Sequence, residues 1–280
     1  MKKLAGFLAG LIALGCLAIG YMYSVAIRDP VVRRVTVEMP DWPAGAPPLH
    51  VALLADLHVG GPDMPPSRVR RIVREVNSLG PALVLLAGDF TSDKRLMTKH
   101  YGGSEAIAPL AGLKAPLGGV AVLGNHDHWR GLGDIVPSLR AAHVRVLDNN
   151  AMTIGPLDLG GVDDAFTGHD DVAATVRSMR RLPGAKILLS HSPDIVPAAP
   201  PDISLILAGH THCGQIRLPL IGAVSYVSRY GAHFACGLSR DGPKRVVTTA
   251  GLGTSVLPLR LGAVPDLWLL TLVPSSRNRH

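Results

Sequence analysis

A small set of polar residues could together do metal-assisted chemistry. Asp56-Leu57-His58, Gly88-Asp89, Gly124-Asn125-His126-Asp127, His191 and Gly209-His210-Thr211-His212 offer carboxylates, an amide and imidazoles. Imidazole with carboxylate suits Zn, Fe or Mn, and the thiolates that favour softer metals are absent from these motifs. A centre of two cations about 3.5–4 Å apart needs a shared ligand, which a carboxylate supplies through its two oxygens. Taken singly, each motif has an ordinary explanation. Gly, Asn and Asp are common turn residues, and a lone histidine is more often a hydrogen-bonded structural group than a ligand.

The elements around these motifs argue for reading them together. Short aliphatic runs of strand length precede each one: Val51–Ala55 before Asp56, Leu83–Ala87 before Gly88, Val120–Leu123 before Gly124, Lys186–Ser190 before His191 and Ser204–Ala208 before Gly209. Continuous apolar runs of this length suit strands buried on both faces. Between the first two, Val69, Ile72, Val73, Val76 and Leu79 fall at helical spacing. Ser67 is the expected cap, Arg68, Arg70, Arg71 and Arg74 the expected solvated face, and Gly80-Pro81 the stop. Strand, helix, strand with polar cargo at the strand ends predicts an α/β architecture whose tips converge on one edge. The stretch 92–118 lacks periodicity and reads as a loop over the site.

In their order along the chain these motifs resemble the signature blocks of the calcineurin-like metallophosphoesterases, over about Val51 to Leu272. The resemblance implies a layered sandwich of mixed sheets flanked by helices and a centre of two divalent metal ions. Asp56, His58 and His212 would hold the first ion, Asn125, His191 and His210 the second, and Asp89 would bridge. His126 would protonate the leaving oxygen or stabilise the phosphoryl group, and Asp127 would orient His126 or brace its turn. Finer matches at His212-Cys213-Gly214-Gln215-Ile216 and Gly251-Leu252-Gly253-Thr254-Ser255 are similar to small bacterial membrane-associated members. Some of these cleave UDP-2,3-diacylglucosamine in lipid A synthesis; others are general phosphodiesterases. Arg217 and Arg260 then become candidate phosphate or headgroup contacts, and Asp163 and Asp164 candidates for structure or substrate positioning. Ser92 stands three residues after Asp89, where protein Ser/Thr phosphatases place a carboxylate, so that activity is not expected, and Cys213 departs from the glycine usual in the subgroup.

The chain of 280 residues is 47% hydrophobic and only 18% charged, enough apolar material for a large core. Its net charge of +7 favours anionic partners without selecting one. Leu4 to Ile27 carry no charge, and such a run crosses a hydrocarbon layer of about 30 Å. The expected organisation is an anchor at 1–28, a linker at 29–48 with one strand at Arg33–Val37, a metallophosphoesterase domain at 49–273 and a tail at 274–280. Cys16, Cys213 and Cys236 show no ladder or CxxC spacing, so neither a disulfide framework nor a zinc-ribbon site is indicated and the redox compartment stays undecided. The expected setting is single-pass in a bacterial inner membrane, with a phosphorylated small-molecule or lipid substrate and no specific nucleic acid. A phosphodiesterase for soluble cyclic nucleotides or nucleic acid, and a catalytically silent metal-binding scaffold, stay open as alternatives.

Overall fold

Two mixed six-stranded sheets pack face to face in a computed structural model that describes residues 1–275. The first sheet contains β1 (Val31–Met39), β2 (Leu49–Leu54), β3 (Leu83–Ala87), β4 (Gly119–Val122) and β5 (Val144–Val146). The second contains β6 (Asn150–Ile154), β7 (Leu157–Val162), β8 (Ala185–Ser190), β9 (Leu205–Ala208), β12 (Gly237–Asp241) and β13 (Lys244–Thr248). A small hairpin, β10 (Arg217–Leu218) with β11 (Gly222–Ala223), stands apart from both, and β14 (Asp266–Pro274) returns to the first sheet. The spatial orders are β1-β14-β2-β3-β4-β5 and β12-β13-β9-β8-β7-β6. From β2 to β5 neighbouring strands run parallel, as do β7, β8, β9 and β13, while β14 is antiparallel to β2.

The pleat explains the layering. Val51 and Leu53 point into the core between the sheets with Leu85, Val122, Ile187 and Leu207, whereas Ala52 and Leu54 point to the opposite face. There they meet the apolar stripe Val69, Ile72, Val73 and Val76 of helix α2 (Pro66–Ser78). Burial on both faces is why these strands read as unbroken aliphatic runs. The outer face of the second sheet is covered by α6 (Val172–Met179), through Val172, Val176 and Met179. The result is the expected layered sandwich.

Some details depart from the sequence reading. Helix α2 starts at Pro66 behind Pro65, with no side-chain cap from Ser67, because proline in the first turn lacks only an N–H that has no helical partner anyway. Arg68 is buried rather than solvated: its guanidinium donates to Asp63 O (2.9 Å) and Arg28 O (2.7 Å). The stretch 92–118 carries α3 (Gly103–Ile107) and a 3₁₀ turn at Ala108–Gly112, whose Ala106, Ile107 and Leu110 are buried against α2 and α5 (Leu132–Ala141). Within the expected linker, the strand extends beyond Arg33–Val37 and pairs in parallel with the whole length of β14. Of the expected tail, 276–280 lie outside the described residues.

Helix α1 (Lys2–Ile27) contains an 18-residue stretch with a mean hydropathy of 2.1 and stands clear of the domain along most of its length. Only its C-terminal end docks. Val25 and Ala26 are buried, Arg260 N donates to Met22 O (3.0 Å), and the Tyr23 hydroxyl donates to Pro62 O (3.4 Å).

Candidate metal centre

Each expected site residue lies just beyond a strand end, and the structure brings all of them together. Asp56 and His58 follow β2, Asp89 follows β3, and Asn125, His126 and Asp127 open α4 (Asn125–Arg130) after β4. His191 follows β8, and His210 and His212 follow β9. The tips therefore come from both sheets and meet at one end of the sandwich. All these side chains are buried.

Turning the chain so sharply requires unusual backbone. Asp56, His58, Asp89, His210 and His212 all have positive φ, between 45° and 69°. Non-glycine residues in this region cost on the order of 1–2 kcal/mol each and cluster at functional sites. Gly209 is needed for a different reason: a Cβ there would lie 2.5 Å from an Asp56 carboxylate oxygen. The same carboxylate accepts two 3.1 Å contacts from His210 N, so the two sheets are tied through the site itself.

The polar atoms converge in two groups. In one, His58 Nε2 lies 3.0 Å from His212 Nε2, 3.4 Å from Asp89 Oδ2 and 3.9 Å from Asp56 Oδ1. In the other, His191 Nδ1 donates to Ala87 O (2.7 Å), which leaves Nε2 without a proton in the neutral ring. That Nε2 faces three further potential ligand atoms: Asn125 Oδ1 at 3.1 Å, His210 Nδ1 at 3.1 Å and Asp89 Oδ2 at 3.2 Å. Carboxylate, amide and imidazole atoms crowded into one buried space form a donor set that suits a cation. Asp89 faces both groups. The sets Asp56–His58–His212 and Asp56–Asp89–His191 each bring ligand atoms within 4.8 Å of one another. Among the described residues, His58 Nδ1 and His210 Nε2 are buried without a hydrogen-bond partner.

Electrostatics fits the same demand. Burial lowers His58 and His212 well below the usual imidazole range and His210 to about 4, keeping these rings neutral, as metal ligation requires. Burial likewise raises Asp56 to about 7, a cost that a nearby cation would reverse. For Asp89 and His191 burial opposes charge on both. Their mutual attraction outweighs it, holding the carboxyl low and the ring high.

A model of the calcineurin-like phosphoesterase family matches residues 49–214, more than half of the chain. The chain belongs to that family. A metallophosphoesterase of Aquifex aeolicus is 31% identical over 86% of this chain and 91% of its own length. The metallophosphoesterase YkuE of Bacillus subtilis is 28% identical over 97% of this chain and 99% of its own. A Danio rerio protein named transmembrane protein with metallophosphoesterase domain is 30% identical over 88% of this chain, which spans 58% of it. This calcineurin-like phosphoesterase is thus a metal-binding phosphoester hydrolase, and its apolar α1 points to membrane association.

Around the phosphoesterase centre the structure adds residues that spacing did not reveal. Asp93 contacts His126 Nδ1, and Ser255 Oγ lies 3.5 Å from His126 Nε2. Burial pulls His126 down, but the Asp93 hydrogen bond and the Asp89 charge outweigh it and hold the ring above its usual range. Asp127 does not touch the His126 ring. Its carboxylate accepts from Asp89 N (2.9 Å), Phe90 N (2.9 Å) and Gly124 N (3.0 Å), bracing two turns at once. Asp163 Oδ1 accepts from His128 Nε2 (2.9 Å), and Asp164 accepts from Thr167, so both serve the rim's structure. Trp129 and Phe166, half exposed, flank the His126 and His210 rings.

Two expectations are corrected. Arg260 is no headgroup contact: it is fully buried, donating to Ala250 O (2.7 Å), Gly251 O (3.1 Å) and Ala263 O (3.3 Å). It braces the loop in which Gly253 N donates to Asp56 O (2.7 Å). Burial pushes its guanidinium down to about 10. Cys213 and Cys236 form a disulfide, with Cα atoms 4.7 Å apart. The intervening chain leaves the site and returns beside His212, a closure that sequence spacing does not report.

Proposed function

We propose that the centre hydrolyses phosphodiester or pyrophosphate bonds with two divalent ions (Mn, Fe or Zn), in a protein anchored once in a bacterial cell membrane. Its substrate is lipid-linked or nucleotide-containing, of the UDP-2,3-diacylglucosamine kind. The observation behind this reading is His191 Nε2, which a carboxylate oxygen, an amide oxygen and a second imidazole all approach within 3.2 Å. Asp56, His58 and His212 are assigned to one ion, Asn125, His191 and His210 to the other, and Asp89 to both. Bound there, the ions supply Lewis-acid activation of water and neutralise phosphoryl charge.

The remaining work falls to the chain's own groups. As water gives up a proton to solvent and its oxygen bonds to phosphorus, the bond to the leaving oxygen breaks, and that oxygen takes the proton on His126 Nε2. Asp93 holds Nδ1 of the same ring and so favours its protonated form. Asp127 keeps the Asp89 and Asn125 turns in register through backbone donors from both.

The test uses the full chain, stripped of metal and then given Mn, Zn, Fe or Mg, with bis-p-nitrophenyl phosphate as substrate. Metal content is measured in parallel. Turnover should return with about two ions per chain on the two-metal reading, and Asp89→Ala should lose both turnover and metal. A folded chain that binds no metal would sink the proposal; one ion with full turnover would sink its two-metal part.

A further inference from the structure

The disulfide closes a loop whose composition is unlike the rest of the surface. Between Cys213 and Cys236, a separation of 23 residues, the chain leaves the metal centre, makes the β10–β11 hairpin and returns. Leu220 at the hairpin tip is fully exposed, Ile221 is 78% exposed and Val224 70% exposed. Soluble surfaces scatter such residues singly; a cluster on one protrusion marks a binding surface.

This apolar surface continues inward to the site. A cavity of about 220 Å³ is lined by Ile216, Val224, Val227 and Leu257, with His212 and Ser255 also in its wall. His212 belongs to one donor cluster and Ser255 neighbours the His126 ring. A ligand filling this space therefore has a phosphoester at one end and hydrocarbon at the other.

The anchor points to where that ligand comes from. Residues Tyr21 and Val25 of α1 line a second cavity with Arg217, at the hairpin base, and with Cys213 and Cys236. Arg260 N holds Met22 O, only a few residues from Leu257 of the apolar cavity. An apolar helix end and an apolar hairpin thus sit side by side, and both bury their side chains when placed in one lipid surface.

Resting on the phosphoesterase reading above, we propose that this cavity is an acyl-chain subsite, and that the Leu218–Val224 hairpin dips into the membrane beside α1 to load it. The substrate class is a phosphoester lipid whose chain lies along Ile216, Val224, Val227 and Leu257 while its phosphate reaches the metal centre.

The experiment uses the full chain in lipid nanodiscs, metal-loaded, with p-nitrophenyl alkyl phosphates from methyl to octyl, all below their micellar concentrations. Release of p-nitrophenolate gives kcat/KM for each. For wild type, kcat/KM should rise by about three- to fourfold per methylene taken into the cavity, then level off when it is full. Val227→Glu, on a half-exposed loop position, should cut the octyl-to-methyl ratio at least tenfold. A flat wild-type series with good methyl turnover would overturn the subsite and leave the phosphoesterase reading intact. A rise that is equal in wild type and variant would also overturn it, because partition into lipid alone acts on both proteins alike. No turnover on any ester would overturn the phosphoesterase reading and the subsite with it.

Discussion

The metal centre and the disulfide-closed loop lie one residue apart at His212–Cys213, yet they are built by opposite rules. At the centre, the side chains proposed to ligate and catalyse are buried, several backbone positions are held left-handed, and turns are cross-tied by carboxylates such as Asp127. In the loop, large aliphatic residues face outward, and the hairpin pairs with neither sheet. The first arrangement spends folding energy on a fixed charge geometry, which is what phosphoryl transfer needs. The second spends solubility on an exposed apolar surface, which is what substrate selection at a membrane needs. Chemistry and selection are therefore separable, and substitutions in the two regions should fail differently.

The largest separation is expected at His126. His126→Ala removes the proton donor while leaving the assigned ligands in place, so turnover of a diester with an alkyl leaving group should fall about 10²–10⁴-fold with metal content retained. Metal analysis beside steady-state kinetics checks this. Loss of an ion with the histidine would instead make it a ligand, since its Nε2 is 3.9 Å from Asp89 Oδ2.

A smaller effect on the same side of the comparison belongs to Asp93. Its carboxylate contacts His126 Nδ1 and raises that ring's affinity for a proton. Asp93→Asn should lower turnover roughly tenfold, part of what general acid catalysis contributes. The loss should be greater for an alkyl leaving group than for p-nitrophenolate, which leaves without help. A uniform loss across leaving groups would mean that Asp93 merely shapes the loop.

How much of this was legible follows the same divide. The tips at Asp56, Asp89, Asn125, His191 and His210 could be read because each ends an aliphatic strand run, and strand burial leaves a strong local pattern. That the tips come from two facing sheets was implied only by the family resemblance, since the strand runs alone do not tell which sheet each joins; the return of β14 between β1 and β2 was not legible at all. Asp93 was missed because it sits in an aperiodic stretch, and only the tertiary approach of α4 gives it a partner. Arg68 and Arg260 misled because arginine is usually exposed; here main-chain carbonyls satisfy their guanidinium groups. The Cys213–Cys236 closure depends on a loop path that no local signal encodes.

That closure offers the smallest effect on chemistry and the sharpest test of the divide. Replacing both cysteines, Cys213→Ser with Cys236→Ser, avoids leaving a free thiol beside His212. Closing a loop of this length is worth about 3 kcal/mol through the unfolded chain, so the melting temperature should drop measurably. Thr211 Oγ1 still donates to Ala235 O (2.6 Å), and Cys213 N is 3.4 Å from that hydroxyl, so the His212 turn keeps a second tie. Metal content should therefore persist, and turnover of a methyl ester should fall only a few-fold. The preference for long alkyl esters should weaken more, because the bond holds the hairpin base against the cavity. If metal is lost first, the loop is part of the centre's scaffold and the two regions are one unit; if only chain preference falls, the disulfide serves selection, and the exposed hairpin is positioned by the same bond that leaves the catalytic turns alone.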